Sequence, residues 1–407
     1  MGTANRKRGY GNGSVYFRES DQRWVGKYKI GTKPDGKPDV KVVYGKTEAE
    51  CHKKLRAVIE EANKSEYVYV KKETVELYML QWLNTVKKLD LKEKSFDRLE
   101  QTILYDVVPA IGSIQVGALT SDDVQKMIAD MKDAGRSLSS IKKAYDAVNA
   151  AYKWGLLSQP PKVKLNPALG VKTPSKKQFV QKTPPFYKED EAKALVNKAM
   201  SCWGNGKRRY PIGAFVPLLI NTGLRMGELL GLQWARDIDL TAKTISVRTN
   251  MAIVKDRSKD AKKKYKYIEQ DSIKTEAGQD RPISLNDEAY NALLDIQKLT
   301  GNKKYVMTTS NGTLIKPRQL DQMFRRIATA AGIDKEKIYG VHSLRHTFAT
   351  LLLYNGVDIK TVSKLLGHSD VMITYNTYIH VIKDMERKAL ESIPSLSGQP
   401  KTENKES

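Results

Sequence analysis

The spacing of apolar and polar positions divides this chain into regions of different character. Near the N-terminus, Ser14–Arg18, Arg23–Ile30 and Val40–Tyr44 alternate and are rich in Val, Tyr and Trp, the pattern of short half-buried strands. Asp21-Gln22 and the cluster from Gly31 to Pro38 supply the turns between them. Thr47–Asn63 switches to a helical period, with Ala49, Cys51, Leu55, Val58 and Ala62 as its apolar positions. A sheet this small cannot bury two faces, so the helix is expected to cover one. Arg23, Lys27 and Lys29 are then expected on the other face, beside aromatic residues.

From residue 74 to 157 the pattern is helical throughout. Thr74–Lys88, Ser95–Val108, Ser121–Lys132 and Ser139–Leu156 each begin near Ser or Thr and space their apolar residues by three and four. Thr120 and Asp123 have the spacing of a capping box. A Pro- and Lys-rich stretch follows, from Ser158-Gln159-Pro160-Pro161 to Pro184-Pro185, and reads as a linker. Beyond Tyr187 helical spacing returns, interrupted by one β region: Lys243–Lys255, Tyr265–Lys274 and Asp280–Leu285. The expected domains are 1–73, 74–158 and 187–394, with a linker at 159–186 and a polar, flexible tail at 395–407. The fold class is multidomain: a small α+β N-terminal domain, a helical domain, and a mainly α domain with a small antiparallel β-sheet.

Charge narrows the partners. The chain of 407 residues has 70 Lys+Arg against 46 Asp+Glu, a formal net charge of +24. With 40% hydrophobic residues it has material for folded cores, so the surplus charge points to a polyanion such as nucleic acid. The first 46 residues alone hold eleven Lys/Arg and four Asp/Glu, which makes the open sheet face a candidate DNA surface. A membrane-spanning role is excluded by the longest apolar run, around Ile212–Ile220, far short of the roughly 20 residues required. No secretory signal is visible, and Cys51 and Cys202 offer neither a disulfide framework nor a zinc cluster. The expected location is the cytoplasm.

Candidate chemistry lies late in the chain. Four of the five histidines, His342, His346, His368 and His380, fall in the final 70 residues. His342 and His346 have zinc-ligand spacing, but no Glu lies between them and Arg345 would set a cation against the metal. His342 and Arg345 instead share a helix face, and imidazole beside guanidinium suits a phosphate. Arg225 follows a Gly turn at a helix start, and Lys274 lies at a turn between strands. Each alone is an ordinary solvated cation.

Taken in order, Thr222-Gly-Leu-Arg-Met-Gly-Glu-Leu, Lys274-Thr275, His342-Ser-Leu-Arg-His-Thr, Leu366-Gly-His-Ser and Tyr378-Ile-His-Val resemble the motifs of the tyrosine recombinases, or phage-type integrases. The likeness covers about 187–390 and extends loosely over 74–157, similar to the family's core-site-binding domain. The N-terminal segment is similar to the arm-binding domain of integrases from conjugative transposons. The resemblance implies a site-specific DNA recombinase that integrates and excises a mobile element through a 3′-phosphotyrosine. Tyr378 would be the nucleophile, Arg225 and Arg345 the holders of the non-bridging oxygens, and Lys274 the acid for the leaving 5′-oxygen. His342 would accept the phenol proton and His368 would hydrogen-bond the phosphate. No metal or other cofactor is implied. The implied partners are double-stranded DNA with core-type and arm-type sites, a homotetramer assembled on it, and accessory excision or bending proteins. Tyr375 remains a rival nucleophile and Lys266 a rival acid; His346 and His380 read as structural, orienting or packing neighbours, and Glu228 as a helix-start residue or one that supports the site's cations from behind. A type IB topoisomerase and a non-catalytic DNA-binding regulator are the alternatives.

Overall fold

Residues 13–32, 38–64, 73–179, 183–258, 260–261, 263–271, 281–301 and 303–393 are described by the structure, a computed structural model. The chain divides into two compact units, Met1–Val180 and Gln181–Ser407. Strands β1 (Ser14–Arg18), β2 (Arg23–Thr32) and β3 (Pro38–Gly45) form an antiparallel sheet in chain order. Helix α1 (Glu48–Lys64) covers one face, bringing Cys51 and Leu55 against Gly26. The register sets Tyr16 and Tyr44 on either side of Val25, which is buried between them on the uncovered face. Alternation along β2 puts Arg23, Lys27 and Lys29 on that same face.

The helical part of the first unit comprises α2 (Val75–Trp82), α3 (Lys88–Asp90), α4 (Glu93–Thr102), α5 (Val108–Ile111), α6 (Ser121–Asp133) and α7 (Leu138–Leu157). Two predicted helices are each interrupted by a π turn, Leu83–Lys87 and Ile103–Val107. The side chains of Leu83, Ile103 and Val107 are buried there. Thr120 and Asp123 form the expected capping box at α6. Tyr78 and Tyr152 are buried in this core with their hydroxyls satisfied, donating to Ala151 O (2.8 Å) and Val116 O (3.2 Å). Part of the stretch after α7, expected as a linker at 159–186, packs on the helical unit. Val163 and Ala168 are buried in the bundle core, and the Asn166 amide donates to Asn149 Oδ1 at 2.7 Å. Its proline and lysine content masked a few apolar side chains that are enough to dock it.

The second unit opens with α8 (Glu189–Ala199), α9 (Phe215–Thr222), α10 (Met226–Gly231) and α11 (Trp234–Asp237). Strands β4 (Ile238–Asp239), β5 (Thr244–Val247), β6 (Thr249–Lys255), β7 (Tyr265–Asp271) and β8 (Arg281–Ser284) follow. Helices α12 (Asp287–Thr300), α13 (Pro317–Ala330), α14 (His342–Tyr354), α15 (Ile359–Leu366) and α16 (Val371–Glu391) complete it. The single strand expected over Lys243–Lys255 is two strands in different sheets. β5 pairs with β4 and β8, while β6 pairs with β7. Arg248 sits at the break, its guanidinium donating to Arg236 O at 3.0 Å. The alternation runs through that residue, so the pattern alone cannot show the change of partner. No described helix is long and apolar enough to cross a membrane.

Candidate active site

The cluster is organised around the Arg345 guanidinium, which is 3% exposed on α14. It spans the C-terminal ends of two other helices: Nη1 donates to Gly223 O (2.7 Å) after α9, and Nη2 to Leu366 O (2.6 Å) at the end of α15. Helix C-termini carry partial negative charge and suit a cation. Both helices end on a left-handed glycine, Gly223 at φ +62° and Gly367 at φ +64°. A Cβ at Gly223 would enter the Phe348 ring, and one at Gly367 would strike the Arg281 guanidinium. The glycines of the Thr-Gly-Leu-Arg and Leu-Gly-His-Ser motifs therefore serve both the turn and the close approach.

Arg225 precedes α10, and Nη1 donates to Glu228 Oε1 at 2.7 Å. Glu228 is buried, and Oε2 also accepts from Arg225 N (2.9 Å) and from Arg281 Nη2 (3.1 Å). Burial pushes the Glu228 carboxyl up, but Arg281 and Arg225 outweigh it and hold the group below the usual carboxylate range. Arg281 begins β8 and was not singled out from sequence; nothing local distinguishes a cation at the start of a strand. Three guanidiniums, of Arg225, Arg281 and Arg345, thus surround one carboxylate. Burial, then the neighbouring Arg225, pushes Arg345 down to about 9. Such a surplus of confined positive charge is an anion site.

His368 follows Gly367. Its Nε2 lies 3.2 Å from Arg345 Nη2 and its Nδ1 2.8 Å from Thr374 Oγ1. Burial and Arg345 push its pKa down to about 4, so the ring is neutral at physiological pH. Tyr378 lies inside α16, where the helix departs from helical geometry (φ −110°, ψ 20°), and is 2% exposed. Burial raises its phenol to about 12, with Arg345 opposing. The ring nitrogen at its hydroxyl is Nδ1 of His346, 2.9 Å away. The sequence reading places His346 among structural, orienting or packing neighbours, without a direct part at the hydroxyl. Only its i+4 relation to His342 could have flagged it.

His342, at the exposed start of α14, meets the His346 ring edge-on with centroids 4.9 Å apart. Desolvation on its inner side, then Arg345 and Arg225, hold it below its ordinary value. Tyr375, one turn before Tyr378, is exposed. His380 lies against Phe186, with ring centroids 6.2 Å apart. Lys274 lies in 272–280, outside the described residues, and Lys266 is on β7. Arg225, His342, Arg345, His368 and Tyr378 thus come together. Among the described residues no group of three or more His, Cys, Asp or Glu is arranged to hold a metal.

On the N-terminal sheet Arg23, Lys27 and Lys29 are exposed. Lys27 Nζ lies 5.4 Å from the Tyr16 ring centroid, and the Arg18 guanidinium 5.4 Å from that of Tyr44. This open face alternates cations with aromatic rings.

Comparison with known proteins places these features among relatives. The phage integrase family matches residues 185–385, and the N-terminal SAM-like domain of phage integrases matches 74–132. The tyrosine recombinase XerC of Bacillus pumilus is 30% identical over 283 residues, which is 66% of this chain and 79% of that protein. A XerC-like tyrosine recombinase of Caldanaerobacter subterraneus subsp. tengcongensis is 28% identical over 402 residues, covering 95% of this chain and 97% of its own length. Among solved structures, the Tn1549 transposon integrase in complex with transposon right end DNA shares the fold. Its TM-score is 0.60 at 21% identity, over 79% of this chain and 100% of that one.

Proposed function

This chain belongs to the phage integrase family of tyrosine recombinases, enzymes of site-specific DNA cleavage and rejoining, and we propose that the Arg345 cluster is its cleavage centre. The observation that carries this is the meeting of Arg225, Arg345, His368 and the Tyr378 hydroxyl in one cation-rich locus, buried except at Arg225 and His368, which are partly exposed. Tyr378 attacks a phosphodiester, forming a 3′-phosphotyrosyl link and releasing a 5′-hydroxyl. Arg225 and Arg345 hold the non-bridging oxygens as charge grows on them, positioned before DNA arrives. His368 hydrogen-bonds the phosphate through Nε2–H once the phosphate takes over the Arg345 Nη2 donor facing that nitrogen, with Nδ1 then accepting from the Thr374 hydroxyl. Lys274 protonates the leaving 5′-oxygen. The phenol proton goes to a histidine of α14, and His342 completes the set at its solvent edge.

The biological reaction we infer is integration and excision of a mobile element in a bacterial cytoplasm. The N-terminal face bearing Arg23, Lys27 and Lys29 supports this, because a second DNA-binding surface suits an enzyme engaging arm-type as well as core-type sites. Residues 74–158 together with the catalytic unit take the core site. Exchange needs two cleavages on each of two duplexes, so the working form is a homotetramer on DNA, with accessory bending or excision proteins setting direction. The likeness to the Tn1549 transposon integrase fits this reading.

The test is to incubate the protein with nicked duplexes made from the DNA flanking its gene, then sequence whatever becomes attached. We expect a 3′-linked adduct at one junction sequence. Tyr378→Phe, which keeps the ring and removes the hydroxyl, should bind that DNA and form no adduct. An adduct in Tyr378→Phe that disappears in Tyr375→Phe would transfer the role to Tyr375. Relaxation of plasmids lacking the junction would favour a topoisomerase.

A further inference from the structure

The Tyr378 ring is 2% exposed, so bulk water is poorly placed to take the proton its hydroxyl must lose. The titratable group at that hydroxyl is His346, with Nδ1 2.9 Å from Oη. His342 is one turn back on α14, at the exposed helix start, and its ring meets His346 instead. We infer that His346, not His342, accepts the phenol proton as Tyr378 attacks the phosphodiester. This rests on the assignment of Tyr378 as nucleophile.

Burial, then His342 and Arg345, lowers the pKa of His346 to about 4, so the ring is unprotonated at physiological pH and Nδ1 can accept. The titratable and charged groups around it are His342 and Arg345 on its own helix, Tyr378 from α16 and His368 after α15. A base this weak cannot strip an isolated phenol, least of all one raised to about 12. Transfer is therefore concerted with attack. As Oη bonds to phosphorus its O–H becomes strongly acidic, and the arriving phosphate offsets the Arg345 field that depresses His346. The Oη–P bond forms and the P–O5′ bond breaks, its electron pair leaving on the 5′-oxygen, which takes a proton from the acid assigned to Lys274. The phenol hydrogen moves to His346 Nδ1. On religation the same nitrogen returns it to the departing Tyr378 oxygen.

The experiment measures single-turnover cleavage against pH on the captured nicked duplex, using the full chain. His346→Asn places an acceptor oxygen near the Nδ1 position but cannot take up a proton. We expect it to bind DNA like the parent and to cleave about 10²-fold more slowly at neutral pH, the lower end of general-base effects. Its rate should climb steadily with pH as hydroxide substitutes for the missing base. In His346→Ala, added imidazole should restore part of the rate. His342→Asn should be slower while keeping the shape of the parent profile. A parental rate and profile in His346→Asn, with the altered profile in His342→Asn, overturns the inference and leaves Tyr378 in place. Adduct formation by Tyr378→Phe overturns the nucleophile assignment itself, a result the same gel reports separately.

Discussion

The sheet face and the catalytic cluster use the same residue types in opposite surroundings. Arg23, Lys27 and Lys29 stand in water on an open face beside Tyr16 and Tyr44. Arg345 is buried, held by Nη1 and Nη2 on two helix-end carbonyls and with Nη2 also facing His368. An exposed cation keeps its hydration and contributes affinity by releasing counterions from DNA, an effect that salt screens. A buried cation carries a standing desolvation penalty, which an arriving anion relieves. The first arrangement suits holding a polyanion. The second suits stabilising charge that exists only briefly, since its dipoles and guanidiniums need no rearrangement at the moment of reaction.

The sharpest way to break this contrast is at Arg345. Arg345→Ala should lower cleavage by about 10²–10³-fold, as for loss of one preorganised donor to a developing anion. The loss should persist when sulfur replaces the 5′-bridging oxygen, because the charge on the non-bridging oxygens is unchanged. Lys274→Ala should instead recover on that substrate, whose leaving group needs no proton. A Lys274→Ala enzyme equally slow on both would move the acid role elsewhere.

A smaller effect is expected at the sheet. Replacing Arg23, Lys27 and Lys29 together by Ala should leave cleavage of the captured core duplex unchanged. Binding to a second class of site should weaken, and the slope of log affinity against log salt should flatten by about 0.9 per lost phosphate contact. Identical footprints from parent and triple variant across the full attachment DNA would falsify the division of labour. Smallest is Thr120→Ala, which removes the capping box of α6. It should cost about 1 kcal/mol in thermal or denaturant unfolding and leave DNA chemistry alone.

Much was legible in the chain because the relevant physics is local. Alternation marked the N-terminal strands to within a few residues, and Thr120 with Asp123 announced its capping box. Gly223 and Gly367 stood inside the motifs that carried Arg225 and His368, and both adopt the left-handed turn that frees a helix end for Arg345. Where partners are remote the pattern failed. Thr244–Val247 and Thr249–Lys255 alternate as one strand, yet pair with different neighbours. The apolar residues of 159–179 were read through their prolines and lysines, although Val163 and Ala168 lie in a core assembled from helices before them.

By itself the sequence determined most of the helical and strand segments, how much positive charge the chain carries, and which residue types were available for phosphoryl transfer. Periodicity, capping and composition depend on neighbours a few positions away or on none at all. Tertiary structure alone decided which of those groups touch. Arg345 reaches Gly223 across 122 positions, Arg281 reaches Glu228 across 53, and His346 meets Tyr378 across 32. It also turned one of two histidines spaced four apart onto the tyrosine and left the other at the exposed rim. Burial and field then set their charge states, since a proton's affinity depends on the medium and charges around the group, whatever their distance along the chain.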